Sequence, residues 1–92
     1  MKKTKHMDFM IDFVKDYLSG ESTRLDFDLD FDRYLIEHYH GMERENPEAA
    51  ECFAFYLSEE GIDRSENLSD AEHKKFIRRQ FRYFTDALRD GF

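Results

Sequence analysis

The segment Leu25-Asp26-Phe27-Asp28-Leu29-Asp30-Phe31-Asp32 alternates a large apolar residue with an aspartate without a break. No other stretch limits the conformation of the chain so strongly. Successive side chains of an extended chain point to opposite sides. That arrangement places Leu25, Phe27, Leu29 and Phe31 on one face and the four carboxylates on the other. A helix would scatter both sets and turn Asp26/Asp30 and Asp28/Asp32 into like-charge i,i+4 pairs, each destabilising by roughly 0.2–0.5 kcal/mol. The alternation therefore predicts a short extended segment near residues 25–30. Its apolar side would dock on the core, and its carboxylates would stand in a row toward solvent or a partner.

The rest of the chain has helical spacing. Met7, Met10, Ile11, Val14 and Leu18 make one apolar stripe over residues 7–19, widened by Phe9, Phe13 and Tyr17, with Gly20 as a stop. After the alternating stretch the period changes: Phe31, Tyr34, Leu35, His38, Tyr39 and Met42 fall on one helix face, with Asp30 or Asp32 as its cap and an end near Gly41 or Met42. Asn46-Pro47-Glu48 is a start signal, with Asn46 at the N-cap and Pro47 at the first helical position. The helix it opens buries Ala49, Ala50, Phe53, Ala54, Tyr56 and Leu57, and Gly61 ends it. Ser69-Asp70-Ala71-Glu72 is a capping box. It starts a last helix that runs to about Asp90 on an apolar face of Phe76, Ile77, Gln80, Phe81, Phe84, Ala87 and Leu88. Four helices on short links predict an all-α fold, a small four-helix bundle with the one extended segment. Residues 7–92 form its single domain and residues 1–6 a flexible basic N-terminus.

With ten Phe and five Tyr among 92 residues, a real core is within reach, since each buried aromatic removes roughly 150–250 Å² from water. The single cysteine, Cys52, excludes an intramolecular disulfide and reads as an inert thiol in an apolar helix pattern. Asp8, Asp12, Lys15 and Asp16 break any apolar run after the basic tip, so neither a signal peptide nor a membrane span is expected, and the setting is cytoplasmic. Residues 7–69 carry 17 acidic and 5 basic side chains, whereas residues 70–92 carry 6 basic and 4 acidic ones. The acidic body repels phosphate and favours a basic partner, or serves solubility alone.

Several constellations could carry chemistry. In a strand the four aspartates would repeat every 6.6–6.8 Å or so, close to the phosphate spacing of a nucleic-acid strand. A cationic groove would accept such a row; a solvated edge is the simpler reading. Asp26, Asp28, Asp30, Asp32 and Glu37 have the spacing of a calcium loop, but Phe31 stands where its sharp turn needs glycine. Glu37 with His40, and Asp70 with His73, loosely match a di-iron bundle pair. Lys75, Arg78 and Arg82, flanked by Lys74, Arg79 and Arg89, form a basic stripe on the last helix. It would serve either nucleic acid or pairing with neighbouring acidic helices, and it lacks an aromatic platform. Phe9, Phe13, Tyr17, Phe55, Tyr83 and Phe92 lie at or beyond the stripe margins and would furnish a protein-binding surface or a homodimer seam. No catalytic triad, nucleotide loop or paired-carboxylate cleft is present in the sequence. The expectation is a non-enzyme with no catalytic residue, no cofactor and no metal.

In size, acidity and acidic-aromatic surface the chain resembles the small bacterial immunity proteins that bind and neutralise a cognate toxin. The resemblance implies a one-to-one inhibitor that blocks a basic toxin domain, often a nuclease, without chemistry of its own. It transfers no individual binding residue. From the residues themselves, the expected contacts to a basic partner are Asp26, Asp28, Asp30, Asp32, Tyr34 and Glu37. The alternatives are a nucleic-acid-associated regulator acting through Lys75, Arg78 and Arg82, and a metal-binding helical protein.

Overall fold

A computed structural model describes residues 4–91. It contains four α-helices: α1 (Lys5–Ser19), α2 (Arg24–Glu45), α3 (Pro47–Phe53) and α4 (Asp70–Gly91). A π-helical turn, Ala54–Glu59, continues α3, and a 3₁₀ turn, Ile62–Arg64, precedes the loop into α4. The chain is a small all-α bundle, with no strand among the described residues. Fully enclosed Met10, Val14, Phe27, Phe31, Met42, Ala50, Phe53, Leu57, Ile77 and Phe84 form its centre.

The expected extended segment at residues 25–30 is helix instead: the alternating stretch is the first two turns of α2. Its cap is Thr23 rather than Asp30 or Asp32. The Thr23 hydroxyl, on an extended backbone, accepts from the Asp26 amide at 3.1 Å. Asp26 then lies in the first turn, where a negative charge is favoured by the helix dipole. Phe27 and Phe31, one turn apart, are both fully buried, and each such burial is worth about 1.5–3 kcal/mol. That exceeds the like-charge cost that favoured a strand. The cost is itself reduced, because Arg24 lies 3.6 Å from Asp28 and Arg33 lies 3.0 Å from Asp30. What helix formation leaves behind is the other half of the alternation: Leu25 and Leu29 are 67% exposed.

The start of α1 is tied down by the far end of α2. Glu45 accepts from the His6 and Met7 amides at 2.7 and 2.9 Å, satisfying donors that have no partner within the helix. α2 thus runs past the expected end near Gly41 or Met42, and its last turn acts as a cap in trans. Lys5 and His6, expected in a flexible tip, belong to α1; residues 1–3 of that tip lie outside the described residues. Gly41 makes this docking possible, because a Cβ there would collide with the His6 ring. Gly20 ends α1 in the left-handed region, φ 90°, as expected of a glycine stop.

Arg24 fastens the loop before α4. Its guanidinium, largely covered, donates to the Ser65, Glu66 and Leu68 carbonyls and to Asp70. Beside it, the Tyr17 hydroxyl and His73 Nδ1 lie 2.6 Å apart with both residues buried. Burial pushes the Tyr17 phenol up; burial first, and the Arg24 charge second, push the His73 imidazole down. A neutral His73 accepting from Tyr17 is the state that fits both.

Candidate functional site

Helices α1 and α2 run antiparallel, because His6 meets His38 at one end while Tyr17 stacks on Phe27 at the other. Their valley has a floor of interlocked rings. Phe9 stacks on His38 with centroids 4.2 Å apart, and Phe13 stacks on Phe27 at 5.4 Å. Tyr34 meets both Phe9 and Phe13 edge-on at 5.2 Å. Such pairs fix ring orientation as well as adding area. The floor is therefore held by the core and not by loops.

The walls are acidic. Asp12 and Asp16 stand one turn apart on α1, and Asp26 and Asp30 one turn apart on α2. Together with Phe9, Phe13, Tyr34 and Ser22 they line a groove of about 390 Å³. Among the described residues, Asp30 alone of the four has a cationic partner, Arg33. The Ser22 hydroxyl oxygen, in the α1–α2 link, is enclosed and has no hydrogen-bond partner among them.

The expected row of aspartates is divided by the helix. At about 100° per residue, Asp26 and Asp30 share the side facing α1. Asp28 turns away to Arg24 and to His73 Nε2, 3.6 Å distant, beside Ile62, Asp63 and Glu66. Asp32 is exposed on the outer side. Of the six expected contacts, Asp26, Asp30 and Tyr34 come together in the groove; Asp28, Asp32 and Glu37 do not line it. The same twist dissolves the calcium-loop spacing, since carboxylates two residues apart diverge on a helix. Among the described residues no cluster of three or more His, Cys, Asp or Glu is placed to hold a metal ion. In the two Glu/Asp-x-x-His pairs, Asp70 is bound to Arg24 and His73 is buried against Tyr17, while His40 is exposed beside Glu43.

Asp12, Asp16, Phe9 and Phe13 complete the site, and the aspartates among them entered the sequence reading only as breaks in an apolar run. The available signal was a like-charge i,i+4 pair, unfavourable in itself, interleaved with an aromatic i,i+4 pair.

The exposed aromatics divide as well. Phe9, Phe55 and Tyr83 are exposed, but Tyr17 is buried at 1% and Phe13 is half-buried; Phe92 lies outside the described residues. Leu25, Leu29 and Ile36 add an apolar stripe on the outer side of α2. On α4, Lys75, Arg78, Arg79 and Arg82 line a depression of about 260 Å³. The expected pairing of this stripe with acidic neighbours is absent among the described residues; Arg78 donates instead to the Leu18 carbonyl at 2.9 Å. No helix of the described chain is long and apolar enough to cross a membrane. Comparison with known proteins finds no matching family model, no matching curated protein and no matching solved structure.

Proposed function

We propose that this chain is a non-enzymatic protein-binding module of the immunity or inhibitor type, which neutralises a partner with a basic surface through the groove between α1 and α2. The observation that carries the reading is the groove itself: Asp12, Asp16 and Asp26, without cationic partners among the described residues, above a rigid aromatic floor. Carboxylates left without internal partners attract a cationic surface from a distance and speed its arrival. Aromatic anchors then slow its departure. The reading places the protein in a bacterial cytoplasm, where a reducing milieu suits lone Cys52, a half-buried thiol that burial pushes up. Relative to the expected contacts, the surface keeps Asp26, Asp30 and Tyr34 and gains Asp12, Asp16, Phe9 and Phe13.

The test is stopped-flow association with a fluorescent basic peptide across a salt series. The triple variant Asp12→Asn/Asp16→Asn/Asp26→Asn should associate about tenfold more slowly at low salt and show a flatter salt response, with its helical circular dichroism unchanged. Parent-like rates and salt response would remove the groove as the binding surface. A second reading, nucleic-acid association through α4, has one observation in its favour: Lys75, Arg78 and Arg82 lack carboxylate partners among the described residues. Gel shifts with DNA and RNA test it; equal retardation by the parent and by a variant lacking those three charges would dismiss it.

A further inference from the structure

One end of the acidic groove already holds a cation. Arg33 reaches around α2 so that its Nη2 donates to Asp30 Oδ1 at 3.0 Å, and its guanidinium carbon lies 4.9 Å from the centre of the Tyr34 ring. Asp30 and Tyr34 both line the groove. The chain therefore displays, on itself, a guanidinium seated against one carboxylate and one ring of this site. Further along the same valley, Asp12, Asp16 and Asp26 offer carboxylates with no such occupant among the described residues, beside Phe9 and Phe13.

We propose that the groove is a site for arginine side chains of the basic partner, and that Arg33 is its resting occupant, displaced when a partner's arginine arrives. The inference rests on the binding reading above and names the chemistry of its ligand. A planar guanidinium presents several donors in a fixed fork, sheds water readily and stacks on aromatic rings. A lysine ammonium is a strongly hydrated point charge and uses a ring-floored, acid-walled valley less well. Arg33 suits the part of a displaceable occupant because its side chain is 65% exposed. An ion pair that open is worth little and is exchanged at little cost. Ser22, whose enclosed hydroxyl oxygen has no hydrogen-bond partner among the described residues, also lines the valley.

The experiment is an anisotropy titration with two labelled peptides of equal length and charge, one carrying arginines spaced by glycine and serine, the other its lysine twin. The parent protein should bind the arginine peptide about three- to tenfold more tightly. Arg33→Gln should tighten the arginine peptide about two- to fivefold, the size expected for releasing an exposed pair, and should tighten the lysine peptide less. Arg44→Gln is the charge control. It removes the same charge from the same helix about 16 Å along its axis, and should affect both peptides equally and weakly. Equal affinity for the two peptides overturns the proposal, as does an Arg33→Gln effect that matches Arg44→Gln or has the opposite sign. If both peptides bind alike and the Asp12→Asn/Asp16→Asn/Asp26→Asn variant loses both, the groove still binds cations and only the arginine inference fails. If neither peptide binds the parent, both readings fall together.

Discussion

The acidic groove and the basic face of α4 are both charged surfaces whose charges mostly lack partners among the described residues, yet they are built differently. The groove takes its walls from two helices and its floor from rings locked into the core: Phe13 on Phe27, Tyr34 against Phe9 and Phe13. Its aspartates sit on short side chains, so each charge is held close to a fixed backbone. The basic face comes from a single helix. Lys75, Arg78, Arg79 and Arg82 line an open depression with no aromatic residue among them, and long side chains must be ordered before they bind anything. A charged patch becomes a recognition site when the core underneath fixes it; otherwise it serves solvation and long-range attraction.

The largest effect should follow from removing the ring beneath the groove. Phe27 is fully buried and stacks on both Phe13 and Tyr17, the latter at 4.4 Å. Phe27→Ala should cost about 3–5 kcal/mol in urea unfolding and release the Phe13 side of the floor. Binding of a basic peptide should weaken even at temperatures where the variant remains folded. If stability falls while peptide affinity holds, the floor is not what fixes the site.

Residue 27 also shows where sequence reasoning succeeds and fails here. Capping chemistry is local and was legible. Asn46 Oδ1 accepts from the Ala49 amide at 3.1 Å, and Ser69 Oγ from the Glu72 amide at 3.3 Å, as their sequence contexts imply. The alternating stretch misled because every second residue was apolar, and period two hides a valid period-four subset, Phe27 and Phe31. Only the core decides which subset is buried. Thr23, whose hydroxyl caps α2, is the local clue to the helix start. The groove was legible by half. Asp26, Asp30 and Tyr34 were in view, but Asp12 and Asp16 join them only through the register of α1 against α2. That register is set by contacts far apart in sequence, such as His6 with His38 and with Glu45.

An intermediate effect should come from the other side of α2, where His73 is buried against Tyr17. Burial, reinforced by Arg24, lowers its proton affinity in the folded chain below the ordinary value. Protons then bind the unfolded chain more readily, so stability is fully present above about pH 6.5 and falls as pH drops below it. Thermal unfolding at pH 7 and pH 5 should show this loss. His73→Gln, which keeps an acceptor for Tyr17, should show less of it, while His6, His38 and His40 remain in both proteins. An identical pH response in the two would place the sensitivity elsewhere. Tyr17, the partner of His73, stacks on the same Phe27 that carries Phe13. Acidification should therefore loosen the groove floor from behind while leaving α4's cations untouched.

The smallest effect should come from the basic face. Replacing Lys75, Arg78 and Arg82 together by Gln removes three exposed charges and one side-chain bond, from Arg78 to the Leu18 carbonyl. Exposed interactions of this kind are worth about 0–1 kcal/mol each, and surface changes elsewhere usually stay within about 0.5 kcal/mol. The variant should melt within a few degrees of the parent. It should also bind a basic peptide slightly faster, because three repelling charges are gone and the body is more acidic. That sign separates the two faces. A site that needs α4's cations would lose binding in this variant, whereas a groove that works alone gains a little. A loss of peptide binding would mean that both surfaces contribute to one interface, and the contrast between a fixed face and a solvating one would have to be abandoned.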